Sequence, residues 1–183
     1  MTLNGEFFLI FTQLTRYGEL CLCRYTDMVN ELETVGDDPN QFNEYGEAPL
    51  CVAAYKAQGM VVAELLQREN IKVNIKGKHG RTALYIAAEE GHVFIVKCLL
   101  GHPNIDVNMK NSPGGATALM GASRRGHSRI VELLLQHPDC NPDLLDRDGQ
   151  TALHHARSNS VKWRLHNYSY RSRSVDNVMG SKR

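Results

Sequence analysis

GRTALYIAAEEGHVFIVKCLLGHPNIDVN, residues Gly80 to Asn108, is written as two short helices with a turn between them. Thr82 is an N-cap residue, because its hydroxyl can accept from a free N–H of the first turn. Leu84, Ala87 and Ala88 follow as a narrow apolar stripe of small residues. Gly91 ends that helix and permits a tight turn. Val93, Val96, Leu99 and Leu100 recur at helical spacing and make a second apolar face. Pro103 cannot continue a helix, so the second one stops near His102. Ile105 to Asn108 reads as extended chain leading into a polar turn.

The pattern returns through the chain. Leu50, Leu84, Leu119 and Leu153 are separated by 34, 35 and 34 residues, and Gly46, Gly80, Gly115 and Gly149 each stand four residues earlier. Leu65-Leu66, Leu99-Leu100 and Leu134-Leu135 keep the same phase, as do the endings IKVN (71–74), IDVN (105–108) and CNPD (140–143). A fixed period in the thirties signals a solenoid. A single such unit cannot bury its own apolar face and must stack on its neighbours.

The openings GEAPLCVAA, GRTALYIAA, GATALMGAS and GQTALHHAR, the glycine between the helices and the closing Val-Asn resemble the ankyrin-repeat family over roughly residues 28–156. That resemblance implies an all-α solenoid: stacked helix-turn-helix units joined by short β-hairpin-like loops. Repeats are expected at 46–79, 80–114 and 115–148, with a partial fourth at 149–160. Residues 1–45 are expected to form capping helices, with Phe7, Phe8 and Phe11 packed on the first repeat, and residues 161–183 a degenerate cap and a disordered basic tail. Three departures stand out. Ala48 replaces the capping threonine, with Pro49 well placed at the first helical position. Ala57 replaces the inter-helix glycine, and the loop at Asn111–Gly115 carries one extra residue. After Ala156 the second-helix pattern gives way to RSNSVKWRLHNYSYRSRS, where Val161, Leu165 and Tyr168 are spaced for a ragged capping helix with Trp163 beside them. So abrupt a change points to an early-ended form of a longer array.

Composition narrows the function classes. Net charge is +1, with 42% apolar and 22% charged residues, which gives no global argument for nucleic acid or membrane. The distribution is uneven: residues from Arg157 onward hold seven Lys/Arg against one acid. The five cysteines have no metal-ligand spacing, and Cys51 and Cys98 fall on core positions, so reduced thiols and a cytoplasmic or nuclear home are expected. The FFLIF run at Phe7–Phe11 is too short to span a bilayer. No phosphate loop, nucleophile elbow or HExxH appears, so neither catalysis nor a cofactor is expected.

The family resemblance implies binding through a concave face made by the hairpins and the first helices. Carried over position by position, it selects Tyr45, Glu47, Tyr55 and Lys56 in repeat one and Lys78, His79, Arg81, Glu89 and Glu90 in repeat two. Arg124 and Arg125 follow in repeat three, and Arg147 opens repeat four. This face runs from acidic and aromatic to basic, which favours a protein partner with an acidic segment, bound by a monomer. The recurring histidines (His92, His127, His102, His137, His154) are expected to brace turns, since like positions in stacked repeats lie about 10 Å apart and cannot share a metal. Asn74 and Asn108 resemble the hairpin asparagines that asparaginyl hydroxylases modify in animal ankyrin repeats, although turn hydrogen bonds account for such residues too. The Arg/Ser tail offers an alternative, an anionic-surface or RNA binder, but it lacks the aromatic interleaving of a nucleic-acid site.

Overall fold

The computed structural model describes residues 38–168, which lie within one compact unit, Asp37–Arg183. The expected capping helices up to residue 37, the three N-terminal phenylalanines, Cys21, Cys23 and the tail beyond residue 168 lie outside the described residues.

Helices come in pairs. Repeat one has α1 (Pro49–Tyr55) and α2 (Gly59–Leu65), and repeat two has α3 (Ala83–Glu90) and α4 (Val93–Leu100). Repeat three has α5 (Ala118–Arg125) and α6 (Ser128–Gln136). The fourth unit keeps only a short α7 (Ala152–His155), followed by helix α8 at 159–168. First helices stack in one layer, α1 on α3, α3 on α5 and α5 on α7, while α2, α4 and α6 form a second. The apolar stripes meet between the layers: Leu50, Leu65, Leu84, Leu99, Ile130 and Leu134 are almost wholly buried. Each short helix would be marginal alone, so stacking supplies its stability.

Local chemistry sets the helix ends. Thr82 accepts from the Tyr85 N–H at 3.2 Å and Thr117 from Met120 N–H at 3.4 Å, whereas Ala48 has no such bond and relies on Pro49. The inter-helix glycines Gly91 and Gly126 sit at φ +89° and +82°. Ala57 holds the same position at φ +60°, a conformation that costs an L-residue about 1 kcal/mol.

Four tight loops project from the first-helix side. Each closes with a backbone bond, Asn43 N–H to Glu47, Gly77 to Arg81, Asn111 to Ala116 and Asp146 to Gln150, at 2.9–3.0 Å. The third spans one residue more than the others and holds a cis Ser112–Pro113 bond. The loops are hairpin-like rather than a sheet: one isolated antiparallel bridge, Lys76 to Thr82, is present among the described residues.

The fourth unit departs most. Helix α8 buries Val161 and Leu165, as their spacing predicts, and Ser158 caps it by accepting from Val161 N–H at 3.3 Å. Trp163 does not join that buried stripe; it is 65% exposed, because its position points away from the Val161–Leu165 face.

Candidate interaction face

The first-helix layer and its loops present most of the residues selected from the sequence. Tyr45, Lys78, His79 and Arg147 stand exposed on the loops, and Tyr55, Lys56, Glu90, Arg124 and Arg125 stand exposed at the ends of first helices. Phe42, half exposed on the first loop beside Tyr45, was not selected. Phe42 stands one residue ahead of the hairpin that Asn43 and Glu47 close, outside the hairpin and first-helix positions that were selected.

The loops hold one another in a row. Glu47 is half-buried and accepts from the backbone N–H of Lys78 on the next loop at 3.3 Å. Lys110 donates to the Leu145 carbonyl at 2.7 Å, and the Arg147 N–H to the Gly114 carbonyl at 3.1 Å. A Cβ on Gly80 would come within 2.6 Å of the Ser112 side chain, so the second and third loops pack at glycine distance.

Glu89 corrects the expectation of a solvent-facing contact. It is buried, with its carboxylate turned into the layer. Arg124 of the next repeat donates to that carboxylate and, at 3.2 Å, to the Tyr85 hydroxyl. Arg81 and Arg125 approach the same carboxylate at 3.7 and 4.0 Å. Burial and the Glu89 charge raise the Tyr85 pKa above its ordinary value. The Glu89 carbonyl is taken as well, by His127 Nε2 at 3.1 Å. Glu89 and Arg124 occupy the same position one repeat apart, 35 residues in sequence, and same-phase positions are neighbours in a stack. Opposite charges at that spacing were the available signal for the pair. Tyr85 gave none, since its equivalents are Cys51, Met120 and His154.

Asn74 and Asn108 lie away from this cluster, in the turns that end repeats. Each side-chain amide clamps the next turn. Asn74 donates to the Asn104 carbonyl at 2.7 Å and accepts from Asp106 N–H at 2.9 Å. Asn108 does the same with the Asp139 carbonyl and Asn141 N–H, at 2.7 and 3.0 Å. Asn40 begins the ladder, donating to the Asn70 carbonyl at 2.8 Å and accepting from Lys72 N–H at 2.7 Å. Asp143 follows in phase and has no amide to donate.

Three of the histidines, His102, His137 and His154, brace turns through Nδ1. His102 Nδ1 accepts from Asn104 N–H at 3.2 Å, His137 Nδ1 from Asp139 N–H at 3.3 Å, and His154 Nδ1 from Thr151 N–H at 3.2 Å. Burial lowers the His102 pKa. His155 donates through Nε2 to Asp146 at 2.6 Å. The buried thiols of Cys51 and Cys98 are pushed up to about 11, and that of Cys140 to about 12, so none is a thiolate at neutral pH.

A family model described as ankyrin repeats (3 copies) matches residues 20–111 and 104–166. No curated protein matches the chain.

Proposed function

The chain belongs to the ankyrin-repeat family, and on that premise we propose that it is an adaptor, scaffold or inhibitor that holds a partner protein against its first-helix and loop face. Repeats of this family are in general protein–protein interaction modules and typically non-catalytic. The observation that carries the reading is the row of exposed Tyr45, Tyr55, Lys78, His79, Arg125 and Arg147 on backbone fixed by loop-to-loop hydrogen bonds. A surface already ordered loses little conformational entropy on binding. Tyr and Arg are also the residue types that most often anchor interfaces.

The test is capture from cell extract by the intact chain, a Tyr45→Ala/Tyr55→Ala variant and a chain lacking residues 169–183. The reading predicts that the tyrosine variant loses the captured protein and keeps its far-UV helix signal. Loss confined to the tail deletion, or RNA captured in place of protein, would transfer the function to the basic tail.

A further inference from the structure

The charges around Glu89 do not balance. One buried carboxylate answers three guanidinium groups, those of Arg81, Arg124 and Arg125. Arg124 is held by direct hydrogen bonds to Glu89 and Tyr85. The other two are near the carboxylate but beyond good hydrogen-bonding distance. Arg81 Nε is buried and has no hydrogen-bond partner among the described residues. Its side chain is 31% exposed and that of Arg125 56%, so both can be reached from solvent. Two cationic forks thus flank a neutralised pair, on a surface where the backbone is already fixed.

We propose that this part of the face, between repeats two and three, is a seat for a carboxylate of an acidic segment on the partner protein, with Arg81 and Arg125 as its two arms. The proposal rests on the interaction reading above and names the chemistry of its partner. Arg124 is a positioning residue here: locked on Glu89, it occupies the buried charge and leaves the flanking guanidinium groups to bind. Planar guanidinium forks match a carboxylate geometrically, and charge-assisted bonds of this kind are stronger than neutral ones. Glu89 limits affinity, because its own charge opposes an incoming carboxylate.

The test is fluorescence anisotropy of the full chain with a short fluorescein-labelled peptide of alternating Glu and Ala, against the Gln/Ala counterpart. The expected result is salt-sensitive binding of the Glu peptide alone. Arg81→Gln and Arg125→Gln should each weaken it about tenfold, the scale of a lost hydrogen bond between charged groups. Glu89→Gln keeps an acceptor for Arg124 and removes the opposing charge, so it should tighten the Glu peptide severalfold, which a merely structural Glu89 would not do. A Lys162→Gln variant on α8 should behave as the unaltered chain. Equal binding of both peptides, or no response to the two arginine changes, would overturn the acidic seat. Neither outcome touches the extract capture that depends on Tyr45 and Tyr55, so the wider reading stands or falls separately.

Discussion

Repeats two and three and the fourth unit start from nearly the same opening words, GRTALYIAA, GATALMGAS and GQTALHHAR, yet fold on to different ends. In the first two, α3 and α5 run eight residues and stop at left-handed glycines, Gly91 and Gly126. In the fourth, α7 stops after four residues, at Ala156 with φ −67° and ψ 111°. The next helix, α8, forms nonetheless. Ser158 caps it, Val161 and Leu165 bury themselves, and Arg164 pairs with Glu132 of α6 at 2.8 Å. The difference teaches that apolar spacing decides whether a helix exists, while the glycine decides how it joins its neighbour. Among the described residues the asparagine ladder runs from Asn40 through Asn74 to Asn108, and Asp143, next in phase, has no amide to donate.

Core truncations should break the comparison most visibly. Leu99→Ala, in the fully buried stripe of α4, is expected to cost about 4 kcal/mol, and Leu165→Ala on α8 about 2, because a terminal helix relaxes around the lost volume. Urea denaturation followed by far-UV circular dichroism measures both, and equal losses would contradict a division between central repeats and end. Next in size is Asn108→Ala, which strands the Asp139 carbonyl and the Asn141 N–H; a loss of about 1.5 kcal/mol is expected by the same method.

The glycine half of the comparison is sharpened by a pair of changes. Gly126→Ala forces a side chain to φ +82° and should cost about 1 kcal/mol, whereas Ala57→Gly relieves the inter-helix turn of repeat one, where an alanine sits at φ +60°. The second change should gain about 0.5 kcal/mol, part of the relief being offset by the freer unfolded chain. Opposite signs in thermal denaturation are the expected outcome.

The smallest effect is pH dependence at the helix-end residue His102. His102 has a lowered pKa in the folded chain, through burial, and accepts from Asn104 N–H at 3.2 Å in its neutral form. Between the folded and unfolded values the unfolded chain binds more protons, so stability rises with pH there. Its contribution is complete above the ordinary value of 6.5 and is lost as pH falls through the lowered folded value. His102→Asn keeps an acceptor without a titrating group and should flatten that part of a stability–pH curve.

Much of this was legible in the sequence. Period, helix pairs, threonine caps, turn glycines, the extra loop residue and the helix at Val161–Leu165 all follow from local chemistry or spacing, which a single chain displays directly. What escaped was coupling between repeats. Glu89 reads as an exposed helix-end acid until it is set beside Arg124, one period away in sequence and on the neighbouring first helix of the same layer. The asparagines read as turn residues until their amides are seen to span two turns. Trp163 read as cap material, and the one-residue choice of helix face turned it to solvent. Ser123, fully buried with its hydroxyl unpartnered among the described residues where Ala54 and Ala88 stand in earlier repeats, has no explanation in the structure.

Photo-cross-linking tests the interaction reading most directly. Benzoylphenylalanine placed singly at Tyr45, at Tyr55 and at Gln136, which is exposed at the end of the second-layer helix α6, would be irradiated in cell extract. The account predicts one protein adduct common to positions 45 and 55 and none at 136. Adducts from 136 alone would contradict it and place the binding surface on the opposite layer.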